Sequence, residues 1–266
     1  MIRLTRTVSA AAVAATLAAG SASATTVIED GFTAGDAGDQ LHGLAPDTVN
    51  LPGGTWSFAG NADVWGIDAV TVEDHAQEGR VADVSQFDTG AQITTGGVIG
   101  GEVTLSARVS VPTGPNMDAH RAIFLGTWEL NHQDEDPDGL ANMNSGDFRG
   151  IGINRVGEIV TRDTEWRETG LLIDGFDDSL FYDFSFTFDS SSGDVLSLTV
   201  DSQSFDFAND SLVGSPFADA SLNYVGFGSP GGGAQVSSFT AIPEPTSLAL
   251  VGFGGAVLML RRRGHA

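Results

Sequence analysis

Phe181-Tyr182-Asp183-Phe184-Ser185-Phe186-Thr187-Phe188-Asp189, followed after residues 190–194 by Val195-Leu196-Ser197-Leu198-Thr199-Val200, is the stretch that decides the fold. Phe184, Phe186 and Phe188 alternate with Ser185 and Thr187. Successive side chains of a strand point to opposite faces, so one face of this strand is aromatic and the other wet. Three serines and Gly193 between Asp189 and Asp194 supply a turn, and the second apolar run returns as the partner of an antiparallel hairpin.

The same pattern recurs outward from this hairpin. Alternating or β-branched runs occupy residues 101–111, 122–130 and 150–160. Residues 222–227 and 234–242, joined by a Gly/Pro loop, are expected to form a closing pair of strands. Helical periodicity is almost absent. Many short strands with glycine-rich turns predict an all-β fold, an antiparallel β-sandwich of two packed sheets. The body, residues 25–242, suits one such domain, and a chain without cysteine contributes no disulfide to it.

The two ends read differently. Arg3 and Arg6, a run of small apolar residues at 8–19, and Ala22-Ser23-Ala24 before Thr25 make residues 1–24 a secretory signal peptide cleaved between Ala24 and Thr25. At the other end, Pro243-Glu244-Pro245 precede an apolar run at 248–260 and then Arg261-Arg262-Arg263. The prolines cannot lie within a regular helix, so they end the soluble domain. A single hydrophobic helix of thirteen residues spans about 20 Å against a hydrocarbon core of about 30 Å, a marginal membrane hold. The arginines keep the last residues on the cytoplasmic side. This order of prolines, short helix and basic stop, over residues 243–266, resembles the PEP-CTERM sorting signal of exopolysaccharide-producing Gram-negative bacteria. The resemblance implies recognition by an exosortase, a membrane cysteine protease, with cleavage near residues 243–245. It further implies transient inner-membrane anchoring, then release or transfer to the cell surface or extracellular matrix.

All but one of the 35 acidic residues lie in the body, with seven of the 12 basic residues, every one an arginine. Such a surface repels nucleic acid and anionic lipid head groups and favours cations. Asp134-Glu135-Asp136-Pro137-Asp138-Gly139 places oxygens at alternate positions before a glycine, the first half of a calcium loop. Asp134, Asp136, Asp138 and Asn142 are the candidate Ca²⁺ ligands. Ser145 replaces the bidentate glutamate of an EF-hand and no amphipathic helices flank the segment, so a calcium loop between strands and a plain acidic turn both stay open.

Gly226-Phe227-Gly228-Ser229-Pro230-Gly231 matches a dinucleotide fingerprint, but a strand rather than a helix follows, and it reads as a turn. No nucleophile elbow, zinc-helix motif or E-x-D-x-E strand occurs. Glu129 beside Trp128, and Glu165 and Glu168 around Trp166, put acids near tryptophans and are the candidates for a glycosidase reading. Trp128 and Trp166 are the candidate glycan contacts, while at least two of the four tryptophans are expected in the core.

Asp30-Gly31-Phe32, Leu41-His42-Gly43, Pro46-Asp47-Thr48, Gly54-Thr55-Trp56 and Tyr224-Val225-Gly226-Phe227-Gly228 resemble exported concanavalin A-like, laminin-G-type jelly rolls. The resemblance implies a jelly roll whose first and last strands pair, in a family associated with carbohydrate, calcium or structural roles. The expectation is thus an exported, non-catalytic surface or matrix protein that is calcium-supported and binds exopolysaccharide. A carbohydrate-active enzyme, hydrolase or lyase, and a self-associating structural matrix component are the competing readings.

Overall fold

A computed structural model describes residues 27–50, 54–59, 70–84, 89–97, 99–111, 122–129, 147–163, 165–207 and 215–243. They form sixteen strands: β1 (Ile28–Asp30), β2 (Thr48–Val49), β3 (Ser57–Ala59), β4 (Val70–His75), β5 (Gly79–Val84), β6 (Thr89–Thr94), β7 (Glu102–Ser110), β8 (Ala122–Trp128), β9 (Arg149–Asn154), β10 (Glu158–Arg162), β11 (Trp166–Leu172), β12 (Phe181–Asp189), β13 (Val195–Val200), β14 (Gln203–Phe205), β15 (Tyr224–Ser229) and β16 (Ala234–Pro243). Every pairing between them is antiparallel. One sheet of nine strands runs β14-β13-β12-β7-β16-β1-β2, with β5 on the free part of the β16 edge and β4 beyond it. The other sheet runs β11-β10-β9-β8-β15-β6-β3. The two pack face to face as a jelly-roll sandwich.

The aromatic hairpin sits as its alternation requires. Phe184 pairs with Val200 and Phe186 with Leu198, and both phenylalanines are buried with Phe188 while Ser185 and Thr187 face outward. Phe188 stacks on Phe217 with ring centroids 4.0 Å apart. Each buried phenylalanine contributes about 1.5–3 kcal/mol through area removed from water. At the other half of the core, Trp56 meets Phe227 at 5.3 Å and Phe239 at 5.5 Å, joining the two sheets. The expected pairing of first and last strands is present, Ile28 opposite Ala241 and Asp30 opposite Phe239.

Two strand expectations are corrected. Residues 150–160 are not one strand but parts of β9 and β10, because the Asn154 side chain accepts hydrogen bonds from Val156 N and Glu158 N and closes a tight turn between them. The expected closing pair does not form. β15 lies between β6 and β8, whereas β16 lies between β7 and β1 in the opposite sheet. Gly232 and Gly233, both with positive φ, turn the chain across the core as an arch, so both strands bury their apolar faces against one another's sheet.

Candidate functional site

The wet side of the deciding strand belongs to a polar face. Strand register sets Thr240, Ser106, Ser185 and Thr199 side by side across β16, β7, β12 and β13, and a second row places Thr104 opposite Thr187. Ser106 and Ser185 hydroxyls hydrogen-bond at 2.9 Å, and those of Thr104 and Thr187 at 2.7 Å. A groove of about 260 Å³ crosses these strands, lined by Ser106, Arg108, Asp183, Ser185, Thr199 and Asp201, with Ser238 and Thr240 on its far wall.

Arg108 anchors one flank of this groove. Its Nε and Nη2 donate to the two carboxylate oxygens of Glu78 at 2.7 and 2.9 Å, and its Nη1 donates to Asp183 at 3.1 Å. The β4–β5 hairpin delivers Glu78 from its turn, where the backbone N–H groups of Gln77 and Glu78 donate to His75 Nδ1. The His75 ring packs on Phe181 at 5.1 Å. A bulge in β16 between Val236 and Ser238 brings the Ser237 hydroxyl to Glu78 at 3.3 Å. The Arg108 hydrogen bonds hold the Glu78 carboxyl below the ordinary glutamate range against a smaller opposing effect of burial, and the same bonds raise the Arg108 guanidinium. Asp201 Oδ1 accepts from Asp183 N at 2.8 Å, fixing the second acidic lobe of the groove. Hydroxyls that both donate and accept, two carboxylates and a fixed guanidinium suit a polyhydroxylated ligand. Sequence reasoning missed this site because its residues come from four strands and carry no motif.

Trp128 and Trp166 share one face, the outer side of the seven-stranded sheet. Trp128 is fully buried there, against Phe148 at 4.7 Å, and does not present its ring to a sugar. Among the described residues, Trp56 and Trp128 are the tryptophans buried in the core. Trp166 is half-buried, packs on Phe124 at 5.0 Å, and carries the Arg162 guanidinium 4.8 Å from its ring centre. Burial lowers the Arg162 pKa, with Arg149 nearby adding to the effect. Phe148 lies directly over Gly126 and Gly150, where an added Cβ would stand 2.5 Å from its ring atoms. This cluster of Ala122, Phe124, Trp128, Phe148 and Val160 is a second small core rather than an open platform.

Glu165 and Glu168 lie at β11, on the sheet edge, and Glu129 follows β8, two intervening strands away. Burial pushes the Asp30 carboxyl up to about 6, but Asp30 sits in the core, accepting hydrogen bonds from Trp56 Nε1 and Phe32 N. Burial also raises Asp83, which accepts a hydrogen bond from the Gln235 side chain at 3.2 Å.

The candidate calcium ligands Asp134, Asp136, Asp138 and Asn142 lie outside the described residues. So do Ala22, Ala24 and Thr25, the helix expected at 248–260, Glu244, Pro245, Arg261, Arg262 and Arg263. Among the described residues no group of three His, Cys, Asp or Glu could hold a metal, and no helix is long and apolar enough to cross a membrane. Pro243 is described, as the last residue of β16 opposite Val103.

The chain carries the PEP-CTERM protein-sorting motif at residues 241–263. The motif implies export and membrane-associated sorting with processing by an exosortase. Curated proteins contain no match to the chain. Among solved structures it is similar to the carbohydrate esterase vb_24B_21 from Shiga toxin-encoding bacteriophage phi24B, at 12% identity over 84% of this chain and 100% of that one, TM-score 0.43. It is also similar to domain 4 of AbnA, a GH43 extracellular arabinanase from Geobacillus stearothermophilus, in complex with arabinotriose, at 14% identity over 83% and 93%, TM-score 0.46. The Emp46p carbohydrate recognition domain in its metal-free form matches at 10% identity over 81% and 97%, TM-score 0.41.

Proposed function

We propose that the exported body is a non-catalytic glycan-binding module of the cell surface or exopolysaccharide matrix, delivered there through its sorting tail. The observation that carries this reading is the hydroxyl-lined groove across β16, β7, β12 and β13, with Arg108 held rigidly at its flank. A neutral polysaccharide offers alternating donors and acceptors, and the pre-positioned hydroxyls, Asp183 and Asp201 match them without reorganisation. Support for a non-catalytic role comes from Asp30 and Asp83, the carboxyls that burial raises among the described residues, which line no part of the groove. A general acid needs such a raised pKa beside the scissile bond. Calcium held by Asp134, Asp136, Asp138 and Asn142 belongs to the same reading as structural support.

The test is binding of the purified protein to soluble linear polysaccharides by affinity electrophoresis, in EDTA and in calcium. Ser185→Ala with Thr199→Val removes two groove hydroxyls and is expected to weaken retardation about tenfold, the loss of one to two hydrogen bonds. Undiminished binding by that variant, with loss in Trp166→Ala, moves the site to the seven-stranded sheet. Absence of binding with and without calcium leaves a structural matrix role. Polysaccharide hydrolysis that disappears on replacing Glu129, Glu165 or Glu168 overturns the reading in favour of an enzyme.

A further inference from the structure

We infer that the groove is the middle of a longer track, and that its ligand is a neutral polysaccharide drawn out as a flat ribbon across the strands. The inference rests on the glycan-binding reading above and adds the shape and length of the chain that is bound. Strand register carries the row of Thr240, Ser106, Ser185 and Thr199 past both ends of the groove. Glu29 of β1 stands opposite Thr240, Thr48 of β2 opposite Glu29, and Ser204 of β14 opposite Thr199. Residues directly opposite in an antiparallel pair share a face. Burial marks that face as the outer one: Ile28 and Asp30 are buried around exposed Glu29, Phe239 and Ala241 are buried around Thr240, and Thr48 and Ser204 are exposed. Each of the seven strands from β14 to β2 thus contributes one residue to the row, six of them serine or threonine and the seventh Glu29. Neighbouring strands lie about 4.8 Å apart, so the row is about 29 Å long, against about 14 Å for the four strands that line the groove.

That spacing selects the shape of the ligand. In a pyranose chain linked through equatorial bonds each ring advances by close to one strand spacing, so every ring can meet one residue of the row. A chain with axial linkages coils and falls out of step within a few rings. Successive rings of a ribbon present opposite edges, which a hydroxyl accommodates because it both donates and accepts. The hydrogen bond between Ser106 and Ser185 uses one O–H and leaves the other for the ligand. Sheet twist rotates each strand by about 20–25° from the last, and the rotatable bonds of every glycosidic linkage let a ribbon follow. Short side chains along the row allow the chain to lie flat, with Thr104 and Thr187 on one side of it and Arg108 and Asp183 on the other. Glu29, Asp183 and Asp201 make the track acidic while Arg108 is already paired with Glu78, which disfavours uronate and sulfated polymers and selects a neutral chain.

The test is calorimetric titration of the full chain, held in a detergent without a sugar head group, with β-linked manno-oligosaccharides of increasing length. Affinity is expected to climb about tenfold between about four rings, which fill the groove, and about seven, which fill the row, and then to level off. Thr48→Val with Ser204→Ala, both exposed and outside the groove, is expected to melt at the wild-type temperature and to remove most of that gain. A gain that the variant keeps, or affinity that stops rising at about four rings, overturns the track and leaves the groove as a short site. Equal affinity for α-linked malto-oligosaccharides of the same lengths overturns the ribbon shape. Absence of binding at every length overturns the glycan reading of the groove and this inference with it.

Discussion

Asp30 is a carboxyl in the wrong solvent, and the cost should be visible as a pH dependence of stability. It is 2% exposed, and burial, opposed by its hydrogen bonds from Trp56 and Phe32, raises its pKa from 3.8 to about 6. Because the folded pKa lies above the unfolded one, the native state holds the proton more tightly, and stability falls as pH rises through this window. The shift of about two units amounts to about 3 kcal/mol in total, of which about 2 kcal/mol is lost between pH 4 and pH 7. Above pH 7 this contribution is flat. Other carboxyls work in the opposite sense: Glu78, lowered by Arg108, adds stability that is lost as pH falls below its ordinary range. The informative quantity is therefore the difference between wild type and Asp30→Asn, measured by urea unfolding across pH 4 to 7. The amide has one carbonyl oxygen for two donors, so Asp30→Asn should be the less stable protein at pH 4. Its deficit should shrink by about 2 kcal/mol by pH 7, as the wild type alone ionises a buried group. A deficit that stays constant over this range would refute the reasoning and place the Asp30 charge in contact with water.

Two further outcomes follow from particular residues. Gly126→Ala sets a methyl 2.2 Å from the Arg149 carbonyl oxygen and 2.5 Å from the Phe148 ring; it should destabilise the protein by about 1–3 kcal/mol in chemical denaturation through overpacking. Millimolar Ca²⁺ should raise the melting temperature over that in EDTA, and Asp136→Ala with Asp138→Ala should abolish the rise. No rise in the wild type makes residues 134–139 a solvated turn.

How far the sequence carries can be judged element by element. The hairpin of β12 and β13 was legible because the period of two is unbroken along β12 and the turn is marked by serine and glycine. The sorting tail was legible because it depends on local order alone: prolines, apolar run, arginines. β8 was harder, since Ala122, Phe124 and Trp128 are buried on the outer side as well as Ile123 and Leu125 on the inner one, and a strand covered on both faces shows no alternation. Trp128 and Trp166 were marked as glycan contacts by residue type alone. What covers a ring, and hence that Trp128 is core, is not a property of its sequence neighbours.

By itself the sequence determined the class of the fold, the hairpin at its centre, and the export and sorting reading, because each rests on periodicity or on residues adjacent in the chain. Which sheet each strand joins was decided by tertiary structure. β15 and β16 are close in sequence yet part company at Gly232 and Gly233, since both apolar faces must close on a single core. The groove is likewise a tertiary product. Ser106, Asp183, Thr199 and Thr240 gain meaning as a set through the strand register, which packing fixes across more than a hundred residues of chain. The first residues of the sorting motif have the same origin: local order marks the prolines, but long-range pairing places Ala241 between β7 and β1 and Pro243 beside β7.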